Sequence, residues 1–465
     1  MPSLLPDAAG SPALLPFQIE GARALVERPA LLLADDMGLG KTIQAIHALQ
    51  EIVSGDPGAR ALVIVPASLV GQWRSELQRW APDLQFSTIR GAVRDRAWQW
   101  RASANVFVVS YDTFRSDFTL NAHAPVAREW DIVILDEAQR IKNRDTSIAR
   151  CCKQIVRRRA WALTGTPLEN TLDDLASILE FVRPRQRDER LAPLRVGGRS
   201  LFDLHASLQL RRRKADVLPQ LPAKTVIPVL LELTERQRAS YERAERDGIV
   251  RLQELGRDVR IEHVLELITR LKQICNFCPM TGESAKLDDL RERMATLVTE
   301  GERALVFSQY VDGRFGVHRI AASLSAFEPL TYTGGLSPHE RERAVERFRV
   351  DHRHRALVLS LRAGGLGLNL QEASYVFHFD RWWNPAVERQ AEDRTHRMGQ
   401  DNPVFVYTYT CADTIEERVA SILAAKRALF DEVVDTTSID LETSLGLREL
   451  LALFGLQDLA EKARN

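Results

Sequence analysis

Cysteine is scarce in this sequence, five in 465 residues. That excludes a disulfide-stapled framework and makes a reducing cytoplasm the expected compartment, with nucleoid association if the source is bacterial. No apolar run reaches the ~18 residues that a membrane-spanning helix needs, so no membrane partner is expected. The opening stretch, residues 1–18, has no basic segment and carries Asp7, which does not fit a secretory leader. Short-period repeats and low-complexity tracts are missing too. So is net charge: 63 lysines and arginines balance 63 aspartates and glutamates, and the global balance points to no polyanionic partner.

What remains is an ordinary globular composition, 45% hydrophobic and 27% charged, which excludes a disordered or fibrous chain. At about 150 residues per domain the length suggests three domains, or two larger ones with insertions. Charge is uneven locally. Residues 183–214 hold ten bases against three acids, residues 150–159 five bases and no acid, and residues 431–442 five acids and no base. Such basic runs offer a polyanion a track, and a solvated arginine-rich surface is the alternative.

Nine short β-branched runs, most of them followed by a turn and a helical pattern, give the architecture. They lie at 31–35, 61–66, 106–111, 131–136 and 160–167, then at 304–309, 356–361, 375–380 and 404–409. Near-continuous apolar strands are covered on both faces, so they predict parallel sheets in α/β units. Residues 234–275 lack such runs and predict amphipathic helix. The expected layout is α/β with two parallel-sheet lobes: 1–225 as the N-terminal lobe, 226–285 as a helical insertion and linker, 286–440 as the C-terminal lobe, and 441–465 as a closing helical segment.

Three motifs carry chemistry. The first strand ends in ADDMGLGKTIQAI. There Gly38, Leu39 and Gly40 can wrap backbone N–H groups around a phosphate at a helix N-terminus, Lys41 can reach the β- and γ-phosphates, and Thr42 can ligate Mg²⁺. The generic pattern wants glycine five residues before Gly40, where this chain has Asp35. The second motif, DIVILDEAQ, ends an apolar strand in Asp136, placed to hold Mg²⁺, and Glu137, placed to activate water. The third, QAEDRTHRMGQ, spaces Gln390, Arg394 and Arg397 four and three residues apart. That spacing predicts one shared helical face, suited to arginine fingers or to a surface ion-pair face with Glu392 and Asp393. The pair of phosphate loop and acidic strand end predicts nucleoside-triphosphate hydrolysis.

In this order the motifs resemble a Swi/Snf-type ATPase, the DNA-translocase branch of helicase superfamily two. The resemblance runs through PFQIEGARAL, DDMGLGKTIQ, VIVPASLVGQW, VVSYDTF, LDEAQRIKN, ALTGTPLEN, LQLRRRKADVLPQLPAK, ALVFSQY and the block from LSLRAGGLGLNL to HRMGQ. It implies two RecA-like lobes, ATP and Mg²⁺ as cofactors, and double-stranded DNA held through its backbone with little sequence preference. It implies Gln18 near the adenine, VIVPASLVGQW as a DNA-contacting segment, Gly365 and Gly367 near phosphate, and Thr164 and Thr166 in the link from hydrolysis to lobe movement. The implied work is translocation that remodels or displaces protein–DNA complexes without obligatory strand separation. The protein target or companion subunit is not legible. A strand-separating helicase, an RNA-directed helicase and a nucleotide-gated scaffold with weak turnover stay open. The family's usual DEAH histidine is Gln139 here. Cys275 and Cys278 form a C-x-x-C that lacks two further zinc ligands nearby, and the resemblance, through the ICN segment that ends the family's central helix, implies that Cys275 is a packing residue. Trp382 and Trp383 are expected to pack or make backbone contact, with base stacking as the alternative, and His396 to hydrogen-bond across the lobes.

Overall fold

The computed structural model describes residues 14–120, 128–165, 172–185, 194, 199–364, 368, 370–382, 385–397, 399–422 and 446–462. The chain divides into two compact units, Met1–Gln220 and Leu221–Asn465.

The first unit is a seven-stranded sheet in the order β3-β4-β2-β5-β6-β1-β7. Its strands are β1 (Ala30–Leu33), β2 (Ala61–Val65), β3 (Phe86–Ile89), β4 (Val106–Ser110), β5 (Trp130–Asp136), β6 (Arg157–Leu163) and β7 (Gln209–Leu210). Every strand pair in it is parallel. Side chains alternate across a strand. Leu31, Leu33, Val63, Val65, Ile132, Ile134, Trp161 and Leu163 therefore share one buried face, packed with apolar residues of helices Lys41–Gly55 and Val70–Trp80. The intervening Leu32, Leu62, Ile64, Val133 and Leu135 are fully buried as well, so both faces are covered.

The second unit is a six-stranded sheet in the order β10-β11-β9-β12-β13-β8, again parallel throughout. Its strands are β8 (Lys224–Leu231), β9 (Ala304–Ser308), β10 (Leu330–Tyr332), β11 (Ala356–Ser360), β12 (Tyr375–His378) and β13 (Val404–Cys411). Ala304, Val306, Ala356, Val358 and Phe377 fill one face, and Leu305, Phe307, Leu357, Leu359 and Val376 the other. Each unit has the RecA-like arrangement.

All nine expected strand runs are present, although β6 stops at Leu163 and residues 166 and 167 lie outside the described residues. The four strands that the apolar pattern does not announce are β3, β7, β8 and β10, the edges of the two sheets. An edge strand is half as buried and can be short or carry a proline, as β8 does at Pro228. The contact boundary at 220/221 precedes the expected 225/226, and residues 226–231 are strand rather than linker because β8 pairs with β13 along its whole length.

Helices Glu235–Leu255 and Ile261–Asn276 occupy the expected helical insertion. The first starts at a capping box, in which Thr234 accepts from Gln237 N–H and the Gln237 side chain returns to the backbone of Thr234. Together with Leu450 and Leu451 of the closing helix Leu447–Ala452, and with Cys411 and Ile415, these helices form one apolar cluster. The insertion and the closing segment are thus one packed body, although more than a hundred residues of sheet lie between them in the chain.

Candidate functional site

In a parallel sheet all strands end on the same side, which makes the carboxyl edge the place where loop residues converge. Registers Leu33↔Leu163 and Asp136↔Leu163 bring the ends of β1, β5 and β6 level in the first unit. The loop after β1 turns through Gly38 and Gly40, both left-handed at φ 85° and 75°, a conformation that costs glycine nothing. Gly40 is the N-cap of helix Lys41–Gly55, and no side chain caps that helix. Its first-turn N–H groups therefore face the loop as an anion site.

Lys41 Nζ donates to the carbonyls of Asp35 at 2.7 Å and Asp36 at 3.2 Å, so the ammonium is held across its own loop. Gln18 is buried and donates to the Leu39 carbonyl at 3.3 Å, as does Gln44 at 3.2 Å. Gln18 is thereby tied to the phosphate loop. Thr42 is half-buried in the first turn of the helix.

Asp136 ends β5 and is buried. Its Oδ1 accepts the Glu137 N–H at 3.0 Å and its Oδ2 accepts the Trp73 indole N–H at 2.7 Å. The Tyr111 hydroxyl donates to its carbonyl at 3.0 Å. Burial, and then the charge of Glu137, push the Asp136 carboxyl up to about 6, while the Trp73 hydrogen bond and the Lys41 ammonium pull the other way. Glu137 sits at φ 51°, a left-handed conformation that a non-glycine residue adopts only when its surroundings impose it. Gln139 Nε2 donates to Glu137 Oε2 at 2.7 Å, and Gln139 Oε1 accepts the Thr164 hydroxyl at 3.0 Å. The DEAQ glutamine therefore joins the second motif to the end of β6 within this unit. Gly165 follows, and a Cβ there would lie 2.4 Å from Met37 Cγ and 3.5 Å from Lys41 Nζ, so the backbone passes close under the loop.

Asp35, which replaces the motif's first glycine, is fully buried and paired with Arg212 at 2.6 Å. Arg212 also donates to Gln44 Oε1 at 2.9 Å and to the Phe17 carbonyl. The RRRK segment is thus fastened to the phosphate loop. Other bases of the two basic runs also turn inward. Lys153 pairs with Glu180 at 2.8 Å, Arg159 donates to the Val26 carbonyl at 2.7 Å, and buried Arg157 donates to the Ile155 and Arg183 carbonyls at 2.6 and 2.9 Å. Much of the expected polyanion track is internal framework, because guanidinium groups satisfy the carbonyls left at strand and helix ends.

In the second unit the shared helical face does not form. The helix spans Pro385–Glu392 and ends before Arg394 and Arg397, which sit in the following turns. Arg394 is buried and donates from Nε to the Gln390 carbonyl at 3.1 Å, and Arg397 donates to the Leu368 carbonyl at 3.5 Å. The ring Nε2 of His396 lies 2.8 Å from the Pro222 carbonyl of this unit. Glu392 holds Lys224 at 2.8 Å and lies 3.3 Å from the buried His378. Burial raises its carboxyl, but the His378 and Lys224 contacts outweigh that and bring it down to about 2. Trp382 packs against the β11–β12 face, as expected. Gly365, Gly367, Thr166 and residues 431–442 lie outside the described residues.

Sequence spacing missed a buried polar network here. Lys286 and Glu416, both without solvent exposure, pair at 2.6 Å. Lys286 also donates to Asn276 Oδ1 at 3.1 Å, and Asn276 donates to Asp380 Oδ2 at 2.9 Å. Cys275 is buried, as expected of a packing residue. Its sulfur lies near Cys411 and Glu416, but Glu416 is already engaged by Lys286 and by the Cys411 N–H at 3.0 Å, which leaves a poor ligand set for a metal.

Two RecA-like units carrying a phosphate loop and an acidic strand end define a helicase-type motor class. The family model described as SNF2-related domain matches residues 17–280, and that described as helicase conserved C-terminal domain matches residues 285–399. The chain belongs to the SNF2-related family. It is 35% identical over 92% of its length to YwqA of Bacillus subtilis (strain 168), covering 49% of that protein. It is 33% identical over 91% of its length to an uncharacterized ATP-dependent helicase of Mycoplasma pneumoniae, covering 42% of it. To the SWI/SNF-related matrix-associated actin-dependent regulator of chromatin subfamily A member 1 of Mus musculus it is 32% identical over 87% of its length, covering 41%. The chain spans about half the length of the curated relatives it matches. The solved Sulfolobus solfataricus SWI2/SNF2 ATPase core in complex with dsDNA aligns over 98% of this chain and 99% of that one, at 29% identity and a TM-score of 0.43.

Proposed function

We propose that the chain hydrolyses ATP at the carboxyl edge of the first sheet and uses the cycle to translocate on double-stranded DNA, remodelling or displacing protein–DNA complexes without obligatory strand separation. The observation that carries this reading is the convergence of Lys41, Asp136, Glu137 and, through Gln139, Thr164 at one strand edge beside an uncapped helix N-terminus. The triphosphate takes the N–H groups of residues 38–42 and the Lys41 ammonium, which it draws from the loop carbonyls. The oxygen donors fit a hard cation: Thr42 and Asp136 would hold Mg²⁺, and the ion would place positive charge on the β- and γ-phosphate oxygens. Glu137, steadied by Gln139, orients and deprotonates water. Arg394 and Arg397 act on the developing phosphate charge when the second unit meets the first. The two arrangements differ in nucleotide affinity, and that difference drives movement along the backbone. The family membership supports this reading.

ATP turnover with no polymer, with linear duplex DNA and with duplex RNA tests it. The expected result is stimulation by DNA above RNA, falling with salt by about 0.9 in the log–log slope for each phosphate gripped. Equal turnover in all three conditions would overturn the DNA-translocase reading.

A further inference from the structure

Away from the strand edges, the second unit holds a cavity of about 630 Å³ between the start of helix Glu235–Leu255, the end of helix Ile261–Asn276 and the loop that follows. Four arginines line it, Arg236, Arg243, Arg270 and Arg314, and among the described residues no acidic side chain does. Arg236 is partly neutralised by Glu283 at 3.2 Å, and Arg314 donates to the Pro279 carbonyl at 3.3 Å. Arg243 and Arg270 are exposed. Apolar groups of Ala244, Ile274 and Phe315 form walls between them, and Met280, 78% exposed, belongs to the same lining. Clustered like charge is unfavourable unless a counter-charge arrives. A DNA backbone would supply phosphates but nothing to cover the apolar walls, and a rod-shaped duplex does not enter a pocket. A peptide that carries both carboxylates and an apolar side chain satisfies both features.

We propose that this pocket docks an acidic segment of a partner protein, with carboxylates on Arg243, Arg270 and Arg314 and one apolar side chain against Ile274 and Phe315. The site is separate from the nucleotide-binding edge, so the proposal does not depend on the ATPase reading. Cys278 also lines the pocket and is buried, with its sulfur 3.5 Å from the Ser240 hydroxyl.

The test uses the full chain and a short fluorescein-labelled peptide of glutamate and serine around a central Leu-Phe pair, read by fluorescence anisotropy. The expected result is saturable binding. Arg243→Glu with Arg270→Glu should weaken binding about tenfold or more, and Arg243→Gln with Arg270→Gln less so, with basal ATP turnover unchanged in both. A peptide with Ser-Ser in place of Leu-Phe should bind weakly. The proposal is overturned if binding is not saturable, survives the arginine substitutions, does not need Leu-Phe, or is displaced by duplex DNA.

Discussion

In the first unit the residues expected to handle nucleotide leave three neighbouring parallel strands and meet at one edge. In the second, Arg394 and Arg397 follow the end of a short helix, and they donate hydrogen bonds to the carbonyls of Gln390 and Leu368 in their own unit. The difference is one of preorganisation. The first site is largely built by the sheet, because strand direction alone sets where Lys41, Asp136 and Glu137 lie. In the proposed mechanism the second set exchanges these internal hydrogen bonds for phosphate before it contributes. Binding should therefore be a property of the first unit and rate a property of both.

That contrast can be broken by substitution. Lys41→Ala should weaken ATP binding and reduce turnover about 10³-fold, because both ground-state charge and loop closure are lost; nucleotide titration and steady-state hydrolysis check both. Arg397→Ala should leave ATP binding within a few-fold of the parent while cutting turnover on the arginine-finger scale, roughly 10³-fold. Arg397→Lys should restore little of it, since an ammonium lacks the planar fork. Near-parental single-turnover rates for Arg397→Ala would assign that residue to structure alone.

The two units can also be compared through their buried ion pairs. Lys286→Met strands Glu416 in a site with no solvent and should cost about 3–5 kcal/mol in urea unfolding. Asp35→Asn keeps part of the hydrogen bonding to Arg212 and should cost less, about 1.5–3 kcal/mol. Arg251→Ala removes an exposed partner of Glu266 and should change stability by no more than a few tenths of a kcal/mol. Glu392 adds a pH dependence. A depressed carboxyl stabilises the fold above its ordinary value of 4.5 and loses that contribution as pH falls towards about 2. Glu392→Gln should accordingly be less stable at neutral pH and show a shallower acid slope over that window.

What the sequence made legible follows the same physics. Central strands are buried on both faces and must be written in apolar residues, so all nine could be read. The edge strands β3, β7, β8 and β10 need no such run and could not. Motifs at strand ends were legible because the parallel sheet converts chain order into proximity. Pairings across long separations were not: Trp73 with Asp136, Asp35 with Arg212 and Lys286 with Glu416 are 63, 177 and 130 residues apart, and no local period announces them. The glutamine of DEAQ stands where the family's histidine is usual, and in the structure it donates to Glu137 and accepts from Thr164. Composition cannot distinguish an arginine facing solvent from one such as Arg157, which caps buried carbonyls.

The central claim is that Glu137, at the end of β5, activates water while the loop around Lys41 binds the triphosphate. Glu137→Gln separates these roles, since the amide keeps the shape and cannot take the proton. Nucleotide binding and single-turnover hydrolysis of that variant, at saturating ATP and linear duplex DNA, are the most direct measurement. The account predicts ATP affinity within a few-fold of the parent and hydrolysis slowed by about 10²–10⁴-fold. Hydrolysis near the parental rate with intact binding would contradict it.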